Sequence, residues 1–381
     1  MTEDNKVYFP NLNSLRGVAA IMVIISHLQH NQNKFSKALS NFGNIGVTIF
    51  FVLSGFLISY LLLVEKEKFS KINTRDFYFR RVLRIWPLYF LMLFFVYTIV
   101  PFIAPKYYIS EMERFSIKSL LMNVFFLTNV TLILKLTPLI IRVIWSIGIE
   151  EQFYLILPWI MKIKEQLRIK IVLFIILFLP LCKLFLILFE KITGNNSLQT
   201  LSSIITVTRF DCMAIGVFFG VLAFYKQFFL GKRCIKYEFF TKREIQLTVY
   251  ILIVILFLIG AVIRSLFNII NYIIFPWLFA ICIINLATNN KSIFKIENKI
   301  LNYLGKISYG LYLVHELVIF LLMPLFMPFL KDFLPFFKNS IIYIGVFGLT
   351  ILISHLLYYG YEIQFLKLKR KVSHIITENK F

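Results

Sequence analysis

A histidine and an arginine on one apolar stretch are the residues of this sequence best placed to do chemistry. The stretch reads LRGVAAIMVIISH, with Arg16 near its start and His27 at its end. The offset of 11 residues is about 20° more than three helical turns, so both side chains lie on one face of a helix. At a rise of about 1.5 Å per residue they lie roughly 16 Å apart along the axis, about half of a bilayer core.

A neutral histidine in a water-poor pocket is suited to removing a proton from a hydroxyl group. A carboxylate such as Glu150 would orient that base, as in a catalytic triad. Ser26 precedes His27 but points about 100° away on the helix, so it is a poor candidate nucleophile. A structural histidine at the membrane interface is the alternative interpretation of His27.

Further polar residues lie inside apolar stretches and are candidate substrate contacts. They are Glu151, Arg209, Asp211, Ser308, Tyr312 and His315. Ser308 and His315 are 7 residues apart with Tyr312 between them, so the three share one stripe of a helix. A buried charge needs a partner or a water-filled cavity, and Glu150, Arg209 and Asp211 are candidates to pair with one another.

A cluster of arginines is a candidate site for a phosphate-bearing ligand. The segment FYFRRVLRIWPLY places Arg81 and Arg84 three residues apart, on one face of a helix that enters an apolar run, with Arg80 beside them. Two guanidinium groups on one face suit bidentate contacts to phosphate. The alternative is that these arginines only anchor the helix on the cytoplasmic side of a membrane.

The composition is that of a helical membrane protein. The 381-residue chain is 59% hydrophobic and only 16% charged, with apolar runs of about 20 residues along its length. Its net charge of +22 comes from basic residues between the apolar runs, a pattern of cytoplasmic loops that argues against nucleic-acid binding. The 4 cysteines have no metal-ligand spacing, so we expect neither a metal site nor a disulfide.

We predict an all-α bundle, a single membrane domain over 1–381 with about ten spans. Their approximate bounds are 14–31, 44–64, 83–103, 145–162, 169–189, 205–225, 245–264, 270–288, 303–326 and 339–364. Basic residues cluster after the even-numbered spans, which places both termini in the cytoplasm and His27 in the outer half of the bilayer. One apolar helix at about 117–135 is predicted not to cross, because a crossing there would remove this charge bias.

Six motifs follow one another along the chain in a recognisable order. They are LRGVAAIMVIISH (Leu15–His27), GVTIFFVLSGFLI (Gly46–Ile58), FYFRRVLRIWPLY (Phe77–Tyr89), WSIGIEEQFYLILP (Trp145–Pro158), TRFDCMAIG (Thr208–Gly216) and LGKISYGLYLVHEL (Leu304–Leu317). Each is a weak pattern alone. Together, in this order, they resemble the membrane acyltransferase-3 family, O-acyltransferases that modify bacterial surface glycans.

The resemblance implies a multi-pass enzyme of the bacterial cytoplasmic (inner) membrane. It would transfer an acyl group, most often acetyl in this family, from cytoplasmic acyl-CoA to a hydroxyl of a surface glycan or lipid-linked sugar. The family's intramembrane histidine and arginine correspond to His27 and Arg16, and its glutamate to Glu150. Its arginine pair, placed near the CoA phosphates, corresponds to Arg81 and Arg84.

Two further expectations concern the organisation of the activity. The sequence has no counterpart of the SGNH-type hydrolase-like domain that some family members carry, so we expect transfer to be completed within the membrane domain or with a separate partner. A proton-coupled transporter is the alternative function, because buried charges and broken spans also suit a carrier. A third alternative, a non-enzymatic scaffold for envelope assembly, would not explain the energetic cost of burying these His, Glu and Arg side chains. The acceptor and the oligomeric state are left open.

Overall fold

The computed structural model describes residues 7–28, 34–103, 114–230, 233–326, 328–330 and 335–372. Its elements are α1 (Pro10–His27), α2 (Lys34–Phe69), α3 (Thr74–Phe94), a π-helix (Phe95–Ile99), α4 (Val100–Ile103), α5 (Ile117–Val124), α6 (Thr128–Ile133), a 3-10 helix (Leu139–Ile144), α7 (Trp145–Lys162), α8 (Glu165–Thr193), α9 (Asn196–Val207), α10 (Phe210–Tyr225), β1 (Gln227–Leu230), β2 (Arg233–Lys236), α11 (Tyr237–Thr241), α12 (Arg243–Val262), α13 (Arg264–Ile269), a π-helix (Ile270–Ile274), α14 (Phe275–Thr288), α15 (Lys299–Lys306), α16 (Ser308–Phe326), α17 (Pro335–Leu357), a π-helix (Tyr358–Glu362) and α18 (Ile363–Val372). The two strands form one antiparallel hairpin.

The described residues contain 7 helices that are long and apolar enough to cross a membrane, or 8 if a bent pair counts as one span. The bent pair is α15 with α16, at 73°. The all-α, multi-span architecture is therefore confirmed. The remaining predicted spans, 14–31 and 145–162, coincide with the 18-residue helices α1 and α7, which carry polar residues of the site. Residues 29–31 and both chain ends lie outside the described residues, and the cytoplasmic location of the termini stays a prediction.

The segment predicted as one non-spanning helix at 117–135 is two short helices. Neither α5 nor α6 reaches the roughly 20 residues that a span requires, so the non-crossing prediction is confirmed. The prediction of one helix is wrong, because Phe126 has a φ of 59° and breaks the segment between α5 and α6. The Thr131 hydroxyl donates to Asn123 Oδ1 over 2.9 Å, and Asn129 Nδ2 donates to Thr208 Oγ1 over 3.0 Å. The polar side chains that interrupt this apolar segment thus tie it together and anchor it to the bundle.

Close helix crossings at glycine set the positions of α1 and α2. A Cβ atom at Gly305 of α15 would overlap the carbonyl oxygen of Asn13 on α1. A Cβ atom at Gly216 of α10 would overlap the carbonyl oxygen of Val52 on α2. Small residues permit this backbone contact, as in other membrane bundles. The Gly305 contact holds α1 against α15, next to the start of α16, and the Gly216 contact holds α10 against α2. The first of them brings residues of the first and last motifs together.

Candidate active site

A cavity of about 470 Å³ lies between α1, α2, α3, α7, α15, α16 and the C-terminal helix α18. Glu150 is the acidic side chain among its described lining residues. The basic side chains on the same wall are Arg16, Arg81, Arg84, Lys306 and Lys369. A concave wall with this excess of positive charge is suited to an anionic ligand such as a phosphate ester.

Two residues of the predicted stripe on α16, Ser308 and Tyr312, form part of the cavity wall. Arg16 Nε donates to Ser308 Oγ over 3.3 Å, which joins α1 to the start of α16. One turn further, the Tyr312 hydroxyl donates to the Val143 carbonyl over 3.0 Å and lies 2.7 Å from Ser146 Oγ. Ser308, Tyr312 and Ser146 line the cavity, whereas His27 and His315 are not among its described lining residues. Tyr312 therefore stands between the cavity and the histidines.

The arginine cluster divides between two environments. Arg81 and Arg84 line the cavity, as their shared helix face predicts, and the Arg81 guanidinium lies 5.7 Å from each of the Phe77 and Tyr154 ring centroids. Arg80, one residue earlier, is rotated by about 100° on α3. Arg80 does not line the cavity with the other two; its Nη2 is instead paired with Glu65 Oε2 over 2.6 Å.

Glu65 fixes the start of α3 against the end of α2. Besides its ion pair with Arg80, this carboxylate accepts the backbone N–H of Asn73 through Oε1 over 3.0 Å. Asn73 in turn caps α3, because its Oδ1 accepts the N–H of Asp76 over 3.3 Å. Arg80 thus helps to hold the helix that presents Arg81 to the cavity.

The acid beside His27 is Glu316. His27 Nε2 lies 3.3 Å from Glu316 Oε1, and Nδ1 lies 2.9 Å from the carbonyl oxygen of Val23, one turn earlier on α1. Because a carbonyl oxygen only accepts hydrogen bonds, Nδ1 is the protonated nitrogen and Nε2 faces the carboxylate. Glu316 is buried and accepts the backbone N–H of Val143 through Oε2 over 3.2 Å, with Arg142 Nη2 4.0 Å from Oε1.

His315 lies directly against His27, with 5.0 Å between the ring centroids. It is fully buried, and its Nδ1 donates to the Leu311 carbonyl over 3.1 Å. Its Nε2 has no hydrogen-bond partner among the described residues. A buried acceptor without a partner costs about 1–3 kcal/mol, so this nitrogen is available to a hydroxyl group brought by a ligand.

Glu150 is not the partner of His27. It accepts hydrogen bonds from Ser54 Oγ over 3.0 Å and from the Tyr154 hydroxyl over 2.8 Å, on the cavity wall. Glu151 accepts the indole N–H of Trp86 over 2.9 Å and is not among the described lining residues. Sequence reasoning missed Glu316, although an acid within an apolar span, next to a histidine already singled out, was a usable signal.

The predicted network of Glu150 with Arg209 and Asp211 is wrong. Asp211 is paired with Lys183, whose Nζ lies 3.1 Å and 3.2 Å from the two carboxylate oxygens. Arg209 Nη2 donates to the Asn271 carbonyl over 3.1 Å, and its guanidinium lies 4.4 Å from the Tyr272 ring centroid. These side chains form a buried cluster between α8, α10 and the π-helix before α14, and none of them is among the described cavity-lining residues.

Comparison with known proteins places the chain in a family. The acyltransferase domain family, Acyl_transf_3, matches residues 9–359. The chain belongs to this acyltransferase family. The assignment predicted from six motifs is confirmed, and the matched region contains every candidate catalytic residue and both cavity arginines of α3. No solved structure matches the chain.

The chain is also similar to curated bacterial proteins. The O-acetyltransferase OatA of Staphylococcus aureus (strain NCTC 8325) is 32% identical over 325 residues, which cover 82% of this chain and 51% of that protein. The peptidoglycan O-acetyltransferase OatA of Listeria monocytogenes is 33% identical over 186 residues, 45% of this chain and 28% of that protein. The putative peptidoglycan O-acetyltransferase YrhL of Bacillus subtilis is 35% identical over 175 residues, 42% and 26% respectively. The chain spans about half the length of the Staphylococcus relative.

Proposed function

We propose that this chain is an integral-membrane O-acyltransferase that transfers an acyl group, acetyl in the first instance, from cytoplasmic acyl-CoA to a hydroxyl of an extracytoplasmic glycan. The observation that carries the proposal is a cationic cavity whose lining residue Tyr312 lies 5.9 Å from the His315 ring, next to the His27–Glu316 pair. Membership of the acyltransferase family favours this activity over a proton-coupled transporter. The names of the relatives favour peptidoglycan as the acceptor.

The donor would lie along α1. Arg81 and Arg84 would hold the CoA phosphates in the cavity, and Arg16 would contact the pantetheine arm that leads toward His27. Arg16 and His27 are about 16 Å apart at helical rise, a distance that the extended pantetheine arm can bridge. The thioester would then reach His27 once the Tyr312 side chain moves aside, and the acyl group would cross the membrane while the CoA phosphates stay inside.

The proposed chemistry is direct transfer. His27 Nε2 takes the proton of the acceptor hydroxyl as its oxygen attacks the thioester carbonyl carbon. Collapse of the tetrahedral intermediate forms the ester, breaks the carbon–sulfur bond and returns the proton from His27 to the CoA thiolate. Glu316 stabilises the imidazolium in between by charge attraction, because its carboxylate oxygen lies 3.3 Å from the nitrogen that takes up the proton. His315 Nε2 would accept a hydrogen bond from a second hydroxyl of the acceptor.

The test is acyl transfer by the purified chain in lipid nanodiscs, with acetyl-CoA and a soluble glycan fragment of peptidoglycan. Release of CoA and acetylated product are both measured. His27→Ala is expected to lower the rate about 10²- to 10⁴-fold, the usual contribution of a general base. Ser26→Ala is the matched control, because Ser26 shares the Val23 carbonyl with His27 but lacks a role in direct transfer.

Two results would contradict the proposal. Transfer at the wild-type rate by a folded His27→Ala protein would exclude this histidine as the base. Loss of transfer in Ser26→Ala, with an acylated serine detected by mass spectrometry of the wild type, would replace direct transfer with an acyl-enzyme. Binding of CoA to His27→Ala shows that the variant is folded, because His27 lies outside the described cavity wall.

A further inference from the structure

The C-terminal helix α18 contributes a lysine to the cavity. Lys369 lies on the cavity wall and is partly buried, whereas Lys367 on the same helix is exposed. The family match ends at residue 359, so Lys369 lies ten residues beyond the region that the family defines. Its place in the cavity was not evident from sequence, where it is one of several basic residues in a tail that positive-inside orientation already explains.

Lys369 lies on the part of this wall that α18 forms against α3. The π-helix before α18 begins at Tyr358, which is buried and lines the cavity, and Lys306 Nζ lies 5.3 Å from its ring centroid. Lys369 is 11 residues further on, roughly 16 Å at helical rise. Because α18 packs against α3, Lys369 reaches the cavity beside the helix that carries Arg81 and Arg84.

The charges on the wall match a ligand with two separate phosphate groups. Arg81 and Arg84 share one helix face and present planar forks, which suit the adjacent oxygens of a diphosphate. Lys369 presents a compact ammonium group from a different helix, which suits a terminal phosphate monoester carrying about −1.5 to −2 charge. Coenzyme A carries both: a diphosphate in the chain and a monoester on the 3′-hydroxyl of its ribose.

We propose that Lys369 binds the ribose 3′-phosphate of the donor and thereby selects coenzyme A over pantetheine donors that lack this group. This inference rests on acyl-CoA as the donor in the proposed function. It makes the C-terminal helix a specificity element for the donor, distinct from the arginine pair that the family motif supplies.

The test compares binding of CoA and 3′-dephospho-CoA to the full chain in nanodiscs, by isothermal titration calorimetry. The wild type is expected to bind CoA about tenfold more tightly, as for one charge-assisted contact. Lys369→Ala is expected to lower the CoA affinity to that of 3′-dephospho-CoA and to leave the latter unchanged. Lys369→Arg keeps most of the discrimination, and Lys367→Ala, the matched control on the exposed side of α18, keeps all of it.

The outcomes separate this inference from the function on which it rests. Equal loss of affinity for both ligands in Lys369→Ala would overturn the 3′-phosphate assignment while acyl-CoA remains the donor. Unchanged affinities in Lys369→Ala would do the same. Wild-type protein that binds neither ligand, and shows no acetyl transfer, would refute the donor itself. The unchanged affinity of Lys369→Ala for 3′-dephospho-CoA is also the evidence that this variant is folded.

Discussion

Replacing Glu316 with glutamine tests the central contact of the proposed mechanism. The change keeps the shape of the side chain and its bond to the Val143 N–H, but removes the charge 3.3 Å from His27 Nε2. The electrostatic attraction between Glu316 and His27 is small while the imidazole is neutral. It grows as His27 takes up the proton of the acceptor hydroxyl. The variant should therefore lose stabilisation of the transition state rather than donor affinity.

The magnitude follows from the distance. Two unit charges 3.3 Å apart interact by about 5 kcal/mol at an effective dielectric constant of about 20. The His27 side chain is 28% exposed, so solvent screens the pair, and the glutamine amide retains part of the dipole. Taking about half of the Coulomb energy gives ~2.5 kcal/mol, which corresponds to a fall of about 70-fold in kcat. The KM for acetyl-CoA should stay within about twofold, because Glu316 is not among the described cavity-lining residues.

The assay is steady-state acetyl transfer at saturating glycan, with kcat and KM for acetyl-CoA measured separately. Glu150→Gln is the matched comparison, because Glu150 is the acid expected from the sequence but is bonded to Ser54 and Tyr154 on the cavity wall. It should change KM more than kcat. A larger loss of kcat in Glu150→Gln than in Glu316→Gln would refute the assignment of Glu316 as the acid that stabilises protonated His27.

Three further experiments test the division of charged residues between the cavity and the structural core. Combined Arg81→Ala and Arg84→Ala should raise the Kd for CoA about 10²- to 10⁴-fold in equilibrium binding, since two charge-assisted contacts of about 1.5–3 kcal/mol each are lost. An unchanged Kd would show that the two arginines only anchor the helix and do not bind phosphate. Arg80→Ala should instead lower the thermal unfolding temperature, because the Glu65 carboxylate is left buried without its partner 2.6 Å away. A rise in the Kd for CoA as large as that caused by the combined Arg81→Ala and Arg84→Ala change would contradict this structural role. Lys183→Ala should destabilise the protein by about 3–5 kcal/mol with CoA affinity retained, and adding Asp211→Asn should recover part of the loss in the same unfolding measurement.

Local geometry was predictable from the sequence. The three-residue spacing of Arg81 and Arg84 places them on one helix face whatever the rest of the chain does, and both line the cavity. Ser308 and Tyr312 share a stripe for the same reason, and both line it too. The charge bias of the loops was enough to exclude a crossing at 117–135, although it carried no information about the left-handed residue that divides the segment.

Partners across helices were not predictable. Whether Glu150 or Glu316 meets His27 depends on how α1 is rotated and offset against α7 and α16. Helical periodicity within one segment carries no information about this packing. That offset is set by close backbone contacts such as Gly305 against Asn13. Lys183 likewise became the partner of Asp211 through the packing of α8 on α10.

The arginine and histidine of α1 illustrate both what was predictable within one helix and what packing between helices decided. The sequence by itself determined that Arg16 and His27 share a face about 16 Å apart, because their spacing and the helical rise are properties of one segment. Only the tertiary structure decided that Arg16 meets Ser308 in the cavity and that His27 meets Glu316 beyond Tyr312. The physical reason is that covalent geometry fixes a helix along its own axis, while packing between helices fixes which faces meet.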